Sequence, residues 1–488
     1  MGRRWLFRVA AIVLGLTPFL AVECCLRWLD LPSPSAQFDP FLDLSQLRPL
    51  FLLEPDGYYR IPAERYRLFA PAEFAQRKGP NTRRVFALGG STTQGEPYGP
   101  ATAFPEWLRL QLQLADPNHS YEVINAGGLS YASYRVLPIL REVLDYQPDL
   151  IVIYTGQNEF LEARELSGWR EVPQTATRWL AWWYRWRTVQ ALRGLWPVAS
   201  SPSSPGPPRT KTSLRQEVDA LLDNQGGLDR YRRETLEAEE VIASFRWNLE
   251  QMIAACQSRS VPLLLVVPTV NLKDCPPFKV ATDTRLPNHE QVDQRWFELQ
   301  AGQLGPEDLT SLAKHILTLD PQHAGAHYLL GQLAWQRQDW GAAEQYWTAA
   351  KDFDVCPLRA VSRIQQAVRL AARNWQVPCV DADALFRSRS PHGIVGREWL
   401  IDHVHPGIEG HQLLGEAIFA ELQGQGWLPG KQPVSAALRQ QAYRQHLSGL
   451  GEDYFIRGKQ RLEGLLLWTQ GRAKKVEIHP PPSPSSTE

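Results

Sequence analysis

A short apolar run that ends in glycine or a small polar cluster, followed by a helical stretch, recurs along this chain and constrains its fold more than any other feature. Arg84-Val85-Phe86-Ala87-Leu88 runs into Gly89-Gly90-Ser91-Thr92-Thr93-Gln94-Gly95, and Tyr121-Glu122-Val123-Ile124-Asn125 ends at Gly127-Gly128. Asp149-Leu150-Ile151-Val152-Ile153-Tyr154 ends in Gly156-Gln157-Asn158-Glu159, and a fourth run, Val261 to Val267, follows a helical stretch from Ile242 to Ala255. Helical apolar spacing fills Phe104 to Leu114 and Tyr134 to Leu144. Strands apolar on both faces and separated by helices imply an α/β fold, a parallel sheet sandwiched by helices. In such sheets ligands sit outside the carboxyl ends of the strands. Ser91, Asn125 to Ser130 and Asn158 all fall there, which points to an enzyme.

Two stretches interrupt the alternation, and at 488 residues the chain has room for them beside its α/β core. Residues 161–240 carry the run Arg178-Trp179-Leu180-Ala181-Trp182-Trp183-Tyr184-Arg185-Trp186-Arg187 and the Ser/Pro linker Ser200 to Pro208, and read as an interfacial helix, a lid or an ordinary aromatic packing helix. Residues 281–356 place Ala326, Gly331, Ala343 and Ala350 at the spacing of one tetratricopeptide repeat, read as a helical hairpin docked on the core and open to a protein partner. The expected division is a signal anchor over 1–29, a stalk over 30–80, core segments over 81–160, 241–280 and 357–425, C-terminal helices over 426–478 and a disordered tail over 479–488.

Residues 1–29 set Arg3, Arg4 and Arg8 ahead of an uncharged run from Val9 to Val22. Small residues suited to cleavage are lacking around Glu23, so the expectation is an uncleaved transmembrane anchor with the catalytic domain on the extracytoplasmic side, periplasmic or extracellular. Lys plus Arg and Asp plus Glu are each 52, so nothing draws a nucleic acid to the whole surface. The 6 cysteines contain no CxxC pair. Cys275 and Cys356 each precede a proline in matching loop-like contexts, leaving two readings open: a disulfide in an oxidising compartment, or two unconnected apolar side chains.

A serine on a strand-to-helix turn can be a nucleophile or simply cap the helix. Far downstream, Asp402 and His405 stand three apart within Trp399-Leu400-Ile401-Asp402-His403-Val404-His405-Pro406-Gly407-Ile408-Glu409-Gly410-His411. That spacing lets a carboxylate orient an imidazole whose other nitrogen accepts a proton from a serine. His403 and His411 compete for the role; His411 falls in the next helical pattern, and His403 faces away from the position Asp402 would serve. Three histidines near an aspartate also suggest a metal, but no second ligand cluster accompanies them, and no metal or cofactor is expected.

In order, Gly89-Gly90-Ser91-Thr92-Thr93, Asn125-Ala126-Gly127-Gly128, Gly156-Gln157-Asn158-Glu159 and Asp402-His403-Val404-His405-Pro406 resemble the four sequence blocks of SGNH (GDSL-like) hydrolases. The resemblance covers roughly 81–160, 241–275 and 357–425 and implies a flavodoxin-like parallel sheet with α-helical insertions. It makes Ser91 the nucleophile, His405 the general base and Asp402 its orienting partner. The oxyanion hole it implies combines the Ser91 N–H, an N–H of the second block from Gly128 or Ser130, and the Asn158 side-chain amide. Three positions depart from the family pattern: Ser130 stands where glycine is usual, Gly90 where many members carry Asp, and Glu159 where Asp often follows the block-three asparagine. The implied function is a membrane-anchored serine esterase that removes a small acyl group, an acetyl ester of a cell-surface glycan fitting best. The alternatives are an O-acyltransferase of the same fold and a non-catalytic, membrane-tethered interaction protein.

Overall fold

The computed structural model describes residues 47–162, 227–233, 238–302, 304–427 and 434–470, with scattered residues between 14 and 43 and between 186 and 218. Strands β1 (Thr82–Gly89), β2 (Ser120–Gly127), β3 (Leu150–Tyr154), β4 (Leu263–Val267) and β5 (Cys379–Asp381) form one parallel sheet in the order β5-β4-β3-β1-β2. This is the flavodoxin-like order expected from the sequence, with the topological switch at β1. Gly89 registers with Gly127 on one side and Tyr154 on the other, so three of the polar clusters emerge together at the same end.

The strands are apolar along their central stretches because both faces are covered. Phe86, Leu88, Ile124, Ile151, Ile153, Leu263 and Leu265 face one core with α3 (Ser133–Val143), α4 (Ala238–Ser258) and α9 (Ser362–Trp375). Val85, Ala87, Val152, Tyr154, Leu264 and Val266 face the other, with α2 (Phe104–Ala115), the short α10 (Ala382–Arg387) and α11 (Ile408–Gly424). At roughly 1.5–3 kcal/mol for each fully buried Val, Leu, Ile or Phe, this two-sided burial dictates the alternation of strand and helix. Leu50, Phe51, Ile61, Phe69 and Phe74, from the segment expected as a stalk, are buried in the first core. That segment forms a small antiparallel sheet of Leu52–Leu53, Tyr58–Arg60 and Glu73–Ala75.

Between β4 and β5 lie α5 (His289–Gln300), α6 (Pro306–Leu319), α7 (Ala324–Gln336) and α8 (Trp340–Asp352), with an apolar cluster of their own around Leu309, Ile316, Leu329 and Leu333. Ala326, Gly331, Ala343 and Ala350 are buried, the small side chains letting α7 and α8 approach closely. A further cluster of Leu272, Ala334, Ala343, Trp347 and Ile394 joins this insertion to the loops beyond β4 and before α11. After α11, α12 (Ala436–Gly449) and α13 (Glu452–Gln470) return to the core; Tyr454 bonds Thr102 Oγ1 at 2.9 Å, and His446 Nε2 donates to the Ala101 carbonyl at 2.7 Å.

The transmembrane anchor expected over 1–29 is overturned: among the described residues no helix is long and apolar enough to cross a membrane. The helical residues 17–26 instead carry Glu23, only 3% exposed, which accepts bonds from the Thr188 N–H at 2.8 Å and hydroxyl at 2.7 Å. The ring of Phe19 lies 5.4 Å from that of Trp186. The expected single-pass topology, with its extracytoplasmic catalytic domain, falls with the anchor. Residues 1–13, the Trp-rich run apart from Trp186, the Ser200 to Pro208 linker and the 479–488 tail lie outside the described residues. Cys275 and Cys356 are both buried as free thiols, so the disulfide reading does not hold.

Candidate active site

Ser91 opens the short helix α1 (Ser91–Gln94) directly after β1. Gly89 is required there, because a Cβ on it would lie 2.1 Å from the Tyr154 carbonyl oxygen of the neighbouring strand. Asn125, from the end of β2, secures the helix from the side: its amide donates to the carbonyls of Thr93 at 2.8 Å and Gln94 at 3.3 Å, and its oxygen accepts the Gly127 N–H at 3.0 Å. The second-block asparagine thus braces the serine turn and leaves the reacting centre to other groups.

Asp402 and His405 face each other across a tight turn closed by the Ile401 N–H to the His405 carbonyl at 2.9 Å and by a bridge between Leu400 and Pro406. Asp402 Oδ1 accepts the Val404 and His405 N–H groups at 2.9 and 2.8 Å, and its Oδ2 lies 2.6 Å from His405 Nδ1. His405 Nε2 lies 2.7 Å from Ser91 Oγ. A carboxylate can only accept, so His405 Nδ1 carries the proton, Nε2 is the acceptor, and the Ser91 hydroxyl donates to it.

The charges reinforce this arrangement. Burial alone would raise the Asp402 pKa, but the His405 charge, its hydrogen bond and the two backbone N–H groups outweigh it and hold the carboxyl at about 2. Burial lowers the His405 pKa, yet the Asp402 carboxylate, its hydrogen bond and the Glu96 charge outweigh that effect and leave it above the ordinary histidine value. The competing histidines sit in different surroundings. Burial and the Arg359 charge push His403 down to about 4, with its Nε2 donating to the Pro276 carbonyl at 3.2 Å. Burial and the nearby His405 charge push His411 to about 3, and neither of its ring nitrogens has a hydrogen-bond partner.

The two candidate donors of the second block separate clearly. The Gly128 N–H is spent on the Gly89 carbonyl at 3.1 Å, whereas the Ser130 N–H has no backbone partner among the described residues. Ser130 adopts φ 61°, the left-handed region that glycine enters freely and serine at modest cost. Asn158 donates one amide hydrogen to the Tyr131 carbonyl at 3.1 Å, and its Nδ2 lies 2.6 Å from where a Cβ on Gly90 would stand, so the missing side chain at 90 lets the amide approach the serine turn. Glu159 points away from the site, accepting the Ser133 N–H and hydroxyl at 2.8 Å each and so anchoring the start of α3.

Three contributors escape the sequence reading. Phe69 pairs with Gly128 in an isolated bridge, and the Leu129 N–H donates to the Leu68 carbonyl at 2.8 Å, so the N-terminal segment braces the turn that carries Ser130. Its weak periodicity gives no signal of this. Glu96, whose N–H reaches the Ser91 carbonyl at 3.1 Å, brings a carboxylate into the field of His405. Asn271, a polar residue just beyond β4, obeys the same carboxyl-end rule that singled out Ser91 and Asn158, and that placement is the signal by which it is found.

No family model matches the chain, and no curated protein matches it. Among solved structures it is similar to a lipase/acylhydrolase from Enterococcus faecalis, with 16% identity, TM-score 0.32 and 72% of this chain covered against 100% of that one. It is similar to a mutant acetyl-xylooligosaccharide esterase from Geobacillus, with 12% identity, TM-score 0.32 and coverage of 71% and 97%. A GDSL-like lipase from Bacteroides thetaiotaomicron is similar at 12% identity, TM-score 0.30 and coverage of 72% and 93%. Likeness this loose carries no weight for activity; the site's own geometry does.

Proposed function

We propose that this protein is a serine esterase of the SGNH (GDSL-like) type, acting on a small acyl ester such as an acetylated glycan. The observation that carries the reading is the continuous contact from Asp402 through His405 to Ser91 Oγ, at 2.6 and 2.7 Å. An inert, partner-binding core would call for no such contact.

In the proposed reaction Ser91 Oγ attacks the carbonyl carbon of the ester while His405 Nε2 takes the hydroxyl proton. The negative charge that develops on the carbonyl oxygen is met by the Ser91 and Ser130 N–H groups and the free amide hydrogen of Asn158. Collapse breaks the ester C–O bond, and the leaving alcohol takes the proton from His405. A water then gives its proton to His405 and attacks the acyl-serine, releasing a carboxylic acid and restoring the serine. Asp402 stays ionised throughout and stabilises the imidazolium. The apolar side chains of the strands are committed to the two cores of the sheet, which supports a short acyl group over a long one.

The test uses the full chain, a fluorophosphonate probe and p-nitrophenyl esters of increasing acyl length, each beside Ser91→Ala and His405→Ala. Labelling and turnover that disappear in both variants, with acetate preferred over octanoate, are expected. Absence of any Ser91-dependent labelling across pH 5–9 overturns the esterase reading, and preference for the longer chain overturns the small acyl group.

A further inference from the structure

The Asp402–His405 turn is held from behind by Asn271. Its N–H donates to the His403 carbonyl at 3.0 Å and its amide to the Leu400 carbonyl at 3.4 Å, so one residue grips the turn on both sides of Asp402. Asn271 is gripped in turn. Arg359, from the segment that joins α8 to α9, donates through Nη1 to the Asn271 carbonyl at 2.5 Å and to the Cys275 carbonyl at 3.0 Å. The insertion approaches the same loop elsewhere, through Tyr328 OH to the Lys273 carbonyl at 3.0 Å and through Asp354, which accepts the Phe278 N–H at 2.7 Å.

Arg359 is 1% exposed, its Nε and Nη2 have no hydrogen-bond partner, and no direct ion pair reaches it among the described residues, the buried Asp354 acting on it through charge without a hydrogen bond. A buried cation left so poorly satisfied is costly and calls for a compensating role. Its charge falls on His403, which is 6% exposed. Facing His403 are Arg359 from the segment before α9, Asp402 and His405 from its own turn, and the Pro276 carbonyl and Phe278 ring from the loop after β4. A proton on His403 would compete for the Asp402 carboxylate and repel the imidazolium that His405 must become.

We propose that Arg359 is a positioning residue for the Ser91–His405–Asp402 site: it fixes the turn through the Asn271 and Cys275 carbonyls, and its buried charge behind the turn reserves the turn's proton for His405. The catalytic consequence rests on the esterase reading; the placement of the charge does not.

The experiment titrates the full chain with 13C-labelled histidine Cε1, the His403 resonance being assigned with His403→Gln, and measures Ser91 phosphonylation against probe concentration. In wild type His403 stays neutral down to pH 5. In Arg359→Met its midpoint rises by about one pH unit or more, and the maximal labelling rate falls about tenfold or more while half-saturation is unchanged. Arg359→Lys keeps the charge, leaves His403 neutral and recovers most of the rate. Asn271→Ala keeps the charge and the backbone contacts to His403 and Arg359 and removes only the amide from the Leu400 carbonyl, so it slows labelling less than Arg359→Met, with His403 still neutral. A folded Arg359→Met with wild-type labelling and a neutral His403 overturns the proposal. Equal losses in the Lys and Met variants also overturn it, and so does a wild-type His403 that protonates above pH 5, whether or not Arg359→Met folds. If wild-type Ser91 never labels, the esterase reading fails while the His403 titration still decides where the Arg359 charge acts.

Discussion

The chain contains two Asp-x-x-His turns of the same local design at opposite ends of its sheet. Asp116 and His119 meet through Oδ2 and Nδ1 at 2.6 Å, the distance between Asp402 and His405, and in each turn the aspartate also accepts the N–H two residues on. Everything around them differs. The first pair sits between the end of α2 and the start of β2, at the amino ends of the strands, with the His119 side chain 27% exposed and the Tyr121 hydroxyl on the same carboxylate oxygen at 2.9 Å. The second sits at the carboxyl ends, its His405 side chain 10% exposed and its free nitrogen against Ser91 Oγ. Local spacing therefore makes an oriented imidazole, and position in the sheet decides whether a nucleophile stands in front of it.

The sharpest way to break that comparison is to remove each histidine in turn. His405→Ala is expected to lower kcat about 10⁵-fold or more, as removal of a general base from a serine site does. His119→Ala should leave kcat within about twofold and cost about 1 kcal/mol of stability or less, as for other partly exposed pairs. A tenfold loss of turnover in a folded His119→Ala, measured with p-nitrophenyl acetate, would sink the assignment of roles by position. One step smaller is the aspartate: Asp402→Asn should lower kcat about 10⁴-fold by losing the tautomer and the imidazolium's partner. Asp116→Asn should change thermal stability and not kcat.

The pair at the carboxyl ends also sets a pH dependence. His405 is raised above the ordinary histidine value, so the acid limb of kcat/KM should have its midpoint above about 6.5. The stability contribution runs the other way. A raised His405 stabilises the fold fully below its unfolded value and loses that contribution as pH rises through its folded one; Asp402, held at about 2, stabilises above its ordinary value of 3.8 and loses that as pH falls toward 2. Activity thus grows where the ionic pair's contribution to stability wanes. An acid-limb midpoint below 6, measured on the wild type, contradicts the electrostatic account of the site.

The two turns also show what was legible in the sequence. Asp402 and His405 were readable because they follow three glycine-rich blocks, each at the end of an apolar run, and the four strands read this way are four of the five in the sheet. β5 is only Cys379–Asp381, too short for its pattern to rise above its surroundings. Arg359 and Asn271 could not be assigned roles because a brace between segments some 90 residues apart has no local periodicity. The N-terminal expectation failed for a related reason. An uncharged run behind arginines reports composition and not helix length, and among the described residues the helix over 17–26 is too short to span, with Leu20 and Val22 about half exposed and Glu23 bonded to Thr188.

The finest comparison lies within the proposed oxyanion hole, between Gly128 and Ser130. Gly128 has spent its N–H on Gly89 and carries the Phe69 and Tyr131 rings against its Cα, while Ser130 holds φ 61° with its N–H unspent. If Ser130 serves only through its backbone, Ser130→Gly should keep kcat within about threefold and raise stability by up to about 1 kcal/mol, since glycine enters the left-handed region without a Cβ penalty. Ser130→Pro removes the donor and should lower kcat about 10²-fold or more, the usual cost of one oxyanion contact. Proline also excludes φ 61°, so a loss there is interpretable only beside a folded thermal transition and an intact Ser130→Gly. A large loss in Ser130→Gly itself would move the role to the serine hydroxyl and return Gly128 to contention.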